Sequence, residues 1–161
     1  MHTAAIHIAE LAQQVRGVTL RMLANVPLAW QRWAPEGTSN HILWHAGHML
    51  WVMDVLAIEP LTGCSELPSG WAETFGQDCR PVKSTTDWPP LEEVTARLQQ
   101  QLPRLLEALA QAPAAQLLDV AAPADGWNLP RGILHGLHDE ARHQGEIFLL
   151  QKMCRARSQT T

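Results

Sequence analysis

Apolar residues recur along most of this chain at the three- and four-residue spacings of helices, with no run of the strict alternation that a half-buried strand shows. From Thr3 to about Val26, the positions Ile8, Leu11, Ala12, Val15, Met22, Leu23 and Val26 keep one helical face, and Pro27 ends it. Pro35-Glu-Gly-Thr-Ser-Asn supplies a turn, after which Thr38 or Ser39 is suited to cap a second helix from near Asn40 to about Ile58. A third helix follows from Leu91, with Val94, Leu98, Leu102, Leu105 and Leu109 on one face and Pro103 expected to kink it. The fourth begins at Asn128 or Pro130 and runs to about Cys154.

Two connections stand between these helices. Residues 59–90 carry Pro60, Gly63, Pro68, Gly70, Gly76, Pro81, Pro89 and Pro90, a density that forbids a long helix. Connections of that length are uncommon in compact domains and often functional, so this one is a lid candidate, with Trp71 to Phe75 as a short helical turn inside it. Gln111 to Gly126 is a plain connection with a short helical piece around Ala114 to Leu118. The expectation is one domain, residues 1–161, folded as an all-α four-helix bundle with the second and fourth helices adjacent.

Composition narrows the partners. The net charge is −4 and the basic residues form no run beyond a short Lys152 to Arg157 tail, which argues against nucleic acid and anionic membrane. No apolar run approaches the ~20 residues that span a bilayer, and the N-terminus lacks the pattern of a signal peptide, so a cytoplasmic protein is expected. Cys64, Cys79 and Cys154 are odd in number and widely spaced, which suits reduced thiols and neither a disulfide framework nor a cysteine zinc site.

The chemistry concentrates in two histidine-rich faces. On the fourth helix His135, Asp139 and His143 lie at i, i+4 and i+8, one stripe that runs on into Leu150 and Met153 and therefore points toward the core. On the second helix His41, His45 and His48 flank the apolar stripe of Ile42, Ala46, Met49, Met53 and Leu56. Buried imidazoles and carboxylates need partners, and a metal ion is one. His138 lies off the stripe and suits the surface or a supporting role, and His41 and His45 taken singly suit satisfied flank histidines. Trp44 and Trp51 fall nearly opposite Met49, where a monomeric bundle prefers polar residues, and mark a partner surface. Leu134, Ala141 and Phe148 give the fourth helix a second apolar side, so a homodimer is expected.

Two stretches, Ser39-Asn-His-Ile-Leu-Trp-His-Ala-Gly-His48-Met-Leu-Trp and His135-x3-Asp139-x3-His143-Gln-Gly-Glu-Ile, make the chain resemble the DinB/YfiT-like superfamily of small metalloenzymes. That resemblance implies a four-helix bundle, commonly dimeric, whose facing helices supply a three-histidine site for a divalent ion. The fourth-helix pattern is matched at His135, His143 and Gly145. Asp139 stands in the position of a ligand histidine, and Glu146 stands where glutamine is common. Mapped residue by residue, the resemblance implies a metal bound by His48, Asp139 and His143, with His45 and His135 as alternates and Zn or Ni ahead of Fe or Mn. It also implies thiol-dependent S-transferase-like chemistry on a small molecule with a low-molecular-weight thiol, by analogy with relatives that use bacillithiol or mycothiol and with a maleylpyruvate isomerase. The alternatives are a metal-dependent hydrolase and a non-enzymatic dimeric stress-response or binding protein with a degenerate site. No catalytic residue beyond the metal set is identified.

Overall fold

Each described element of the computed structural model is helical, and the description covers residues 2–38, 40–77, 88–118 and 128–159. In order, these are α1 (Thr3–Leu23), α2 (Leu28–Gln31), α3 (Ile42–Met53), α4 (Glu59–Thr62), α5 (Trp71–Phe75), α6 (Leu91–Gln111), α7 (Ala114–Leu118) and α8 (Leu129–Ser158). A π-helical turn, Asp54–Ile58, joins α3 to α4, and Gly63, in the left-handed region at φ 78°, ends the combined helix. Ser39, residues 78–87 and 119–127, and with them part of the 59–90 loop and of the 111–126 connection, lie outside the described residues.

The four long helices form a ring in which α1 touches α6 and α8, and α3 touches the same two. Leu23, Ile42 to Leu50, Leu91 to Leu98, Ile147 and Leu150 share one apolar cluster, while Ala5 to Ala12, Met53 to Ile58, Leu105, Leu109, Ile133 and Leu137 share the other. Chain direction follows from these memberships: α1 and α8 run one way, α3 and α6 the other. The expected adjacency of the second and fourth helices holds, and they are antiparallel. The helices α3 and α6, however, run parallel, so their connection has to return along the bundle, which is the physical reason that residues 59–90 are so long.

A polar layer separates the clusters. Arg16 donates from Nε and Nη2 to the two Glu140 carboxylate oxygens (2.8 and 2.9 Å), from Nη1 to the Leu98 carbonyl (2.7 Å) and from Nη2 to Gln101 Oε1 (3.0 Å). The Thr19 hydroxyl donates to Glu140 (2.6 Å), and Gln101 Nε2 donates to the Leu50 carbonyl (3.0 Å). All four long helices are thereby joined through one buried ion pair.

Helix ends depart from expectation in informative ways. The cap of α3 is His41, whose Nδ1 accepts the Trp44 N–H at 3.1 Å, so an imidazole takes the place expected for Thr38 or Ser39. The α8 cap is Asn128, accepting from Arg131 N–H (3.1 Å), as its position predicts. Pro103 lies inside α6, which continues to Gln111. The expected partner surface at Trp44 is overturned: Trp44 is fully buried and Trp51 packs against the core, because α5 covers this side of α3.

Candidate metal centre

The site lies where α3 and α8 cross, and glycines set how closely they cross. A Cβ at Gly132 would stand 2.8 Å from the Leu56 carbonyl oxygen, and one at Gly136 would press on Met53. With that approach fixed, one and two turns further along α8, Asp139 and His143 come to face His48 and His45 on α3. All three histidines are buried, and Asp139 is 8% exposed.

His48 is held from two sides. Its Nδ1–H donates to the Phe75 carbonyl at 2.6 Å, and Trp44 stacks on its ring at 4.5 Å and 18°. Phe75 can sit there because position 47 is glycine: any Cβ would fall within the Phe75 ring. The Trp71 indole N–H donates to the Gly47 carbonyl (3.1 Å), tying α5 to the same turn of α3. The 59–90 segment is a lid candidate from its sequence, and its described part around α5 braces a site histidine. Neither Phe75 nor Gly47 was legible as a site residue, although a glycine inside a helix, directly before a candidate ligand, is a signal of close approach.

A carbonyl oxygen only accepts, so the proton of a neutral His48 ring is on Nδ1 and a lone pair is on Nε2. That Nε2 faces Asp139 Oδ2 at 3.8 Å, and His143 Nε2 faces the same oxygen at 3.3 Å. Oδ2 is buried and accepts no hydrogen bond of normal geometry from any described residue. Burial pushes the Asp139 carboxyl upward, but the long hydrogen-bonding contact and the charge of His143, and then the charges of His48 and His135, together outweigh it and hold the pKa below its ordinary 3.8. An anionic, under-satisfied oxygen between two imidazole nitrogens, all within 4.8 Å of one another, is a donor set that fits a divalent transition metal.

A second group of candidate ligands adjoins the first. His45 Nδ1 lies 2.7 Å from His143 Nδ1, and His45 Nε2 lies 3.2 Å from Glu146 Oε2. Outside it, a cavity of about 360 Å³ is lined by Asn40, His45, Glu146, Leu149, Leu150 and Met153.

Residues 11–147 match the family model of the DinB superfamily. The chain belongs to the DinB superfamily. Among solved structures, a conserved protein from Enterococcus faecalis is similar at TM-score 0.66 and 18% identity, covering 94% of this chain and 96% of that one, which shows a shared fold. Comparison with curated proteins finds no match.

In this DinB-superfamily chain, the expected set His48, Asp139 and His143 comes together, and so does the alternate His45, through His143. The other alternate, His135, does not join either group. It is exposed, with its ring 6.4 Å from that of exposed His138, so the α8 stripe turns inward only from Asp139 onward. Met153, expected in the core, is 36% exposed at the cavity. No described helix is long and apolar enough to cross a membrane.

Proposed function

We propose that this chain is a cytoplasmic metal-dependent enzyme that carries out thiol-dependent S-transferase-like chemistry on a small molecule. One divalent transition metal, Zn or Ni ahead of Fe or Mn, would be held by His48, Asp139 and His143. The supporting observation is the convergence on Asp139 Oδ2, a buried oxygen that the protein leaves under-satisfied beside two imidazole nitrogens. Three protein ligands leave coordination positions open, and an ion held this way lowers the pKa of a bound thiol or water. The chain's own part is positional. Phe75 and Trp44 fix His48, Asp139 supplies negative charge, and the adjoining cavity offers apolar walls at Leu149 and Leu150 with polar groups at Asn40 and Glu146. Such a lining suits a small molecule with one polar end. Exposed Leu134, Ala141 and Phe148 on α8 favour a second copy of the chain as partner.

Two rivals make different predictions. A hydrolase would place water where the thiol is proposed. A non-enzymatic dimeric stress-response protein would have a degenerate site, a reading favoured by Asp139 in a ligand-histidine position. The test is to load the protein with Zn or Ni and assay conjugation of a thiol to a small electrophile beside ester and amide hydrolysis. Thiol conjugation that disappears in His143→Ala supports the proposal. Hydrolysis alone supports the first rival, and failure to take up metal supports the second.

A further inference from the structure

Glu146 and His45 form a chain with His143 that has a direction. A carboxylate only accepts, so at 3.2 Å from Glu146 Oε2 the proton of a neutral His45 ring is on Nε2. His45 Nδ1 then carries a lone pair, and at 2.7 Å it accepts from His143 Nδ1–H. Asp139 Oδ2, 3.3 Å from His143 Nε2, competes for the same proton, so this direction would hold once a metal neutralises that oxygen and takes the Nε2 lone pair. His48 reaches the same state by another route, through the Phe75 carbonyl. We propose that Glu146 and His45 are positioning residues that set the tautomer and ring orientation of His143, so that its Nε2 lone pair is presented to the metal. This rests on the metal reading above and deepens it.

The Glu146 side chain is 52% exposed at the cavity rim while His45 is buried behind it. An exposed acceptor therefore orders two buried rings in series. Hydrogen bonds of this kind from outside the ligand set raise ligand basicity, and their loss costs roughly 10- to 100-fold in metal affinity. The same three side chains could instead grip a second ion, which makes stoichiometry decisive.

The first measurement uses the Zn-loaded protein. Nitrogen-15 NMR of the histidine rings in the Zn-loaded protein at neutral pH should find His45 protonated on Nε2 and His143 on Nδ1. Finding the His45 proton on Nδ1, or a His143 proton on Nε2, would overturn the relay even though metal binds. The second measurement is Zn affinity by competition with a chromophoric chelator, with the Co(II) visible spectrum as a readout of the ligand set. Glu146→Ala and His45→Phe should each weaken Zn binding about 10- to 100-fold. One equivalent should remain bound with the Co(II) spectrum little changed, and Glu146→Gln, which keeps an acceptor, should recover most of the affinity. Wild-type affinity in both weakened variants would overturn the relay. So would two equivalents in wild type falling to one in His45→Phe, which would make His45 a ligand. Absence of metal uptake by wild type would overturn the metal reading and the relay with it, whereas a His45 proton on Nδ1 in the loaded protein would overturn the relay alone.

Discussion

Asp139 and Glu140 are neighbours on α8, both buried carboxylates, and the fold treats them in opposite ways. Glu140 receives two hydrogen bonds from Arg16 and one from Thr19, and it is completely buried. Asp139 faces two histidine nitrogens, and its Oδ2 accepts no normal hydrogen bond from the described residues. The first carboxylate is satisfied by the protein alone, which is the mark of a structural group; the second keeps an oxygen open to a cation. Consecutive residues of a helix point about 100° apart, so one turn of α8 serves the bundle's polar layer on one side and the candidate metal centre on the other.

The largest effect that would break this comparison is at Glu140. Removing one partner leaves Arg16 charged and buried, so Glu140→Ala should destabilise the metal-free protein by about 3–5 kcal/mol, read from denaturant unfolding. The apolar pair Arg16→Met with Glu140→Leu should recover much of that loss. A cost below about 1 kcal/mol for Glu140→Ala would remove its structural assignment.

Acid probes a third way of keeping a buried polar group. His41 stays neutral to cap α3, and burial first, then the Arg32 charge, bring its pKa from 6.5 to about 4. A base whose folded pKa is depressed loses protons on folding, so its contribution is complete above pH 6.5 and is lost as pH falls toward about 4. The loss from this group should reach about 3 kcal/mol. His41→Asn, which caps without titrating in this range, should flatten that part of the stability profile; an unchanged profile would place the acid sensitivity elsewhere.

Much of this architecture was legible from periodicity. The four long helices, the short turn at Trp71 and the adjacency of α3 and α8 all follow from where apolar residues and breakers stand. The polar layer was not, because Arg16, Gln101 and Glu140 lie far apart in sequence and each reads as an ordinary helix-surface residue until the bundle closes. Trp44 was misplaced for a related reason: helical geometry puts it opposite Met49, but only the tertiary fold shows α5 packed on that side. The site histidines were visible as types and spacings. Their proton positions depend on partners from other segments, Phe75 for His48 and the pair His45 and Glu146 for His143.

Gly47→Ala sharpens the comparison from the metal side. Its Cβ would displace the Phe75 ring, costing about 1–3 kcal/mol by overpacking, and would draw the Phe75 carbonyl from His48. Metal affinity should fall together with stability; a stable variant with full affinity would separate α5 from the site.

The smallest effect on stability should come with the largest effect on function, at Asp139. Metal-free Asp139→Asn should unfold within about 1 kcal/mol of wild type, because it keeps the shape and an acceptor oxygen and loses only the attraction of His143 and His48 for the carboxylate. A loss comparable to that of Glu140→Ala would make Asp139 a second structural group.

Direct titration of Zn into metal-free wild type, Asp139→Ala, His143→Ala and His48→Ala, with elemental analysis after dialysis, tests the central claim. One equivalent in wild type, retained through dialysis and lost in the two histidine variants, with Asp139→Ala weakened or empty, is the predicted result. Less than a small fraction of an equivalent in wild type, or His143→Ala binding as tightly as wild type, would contradict it.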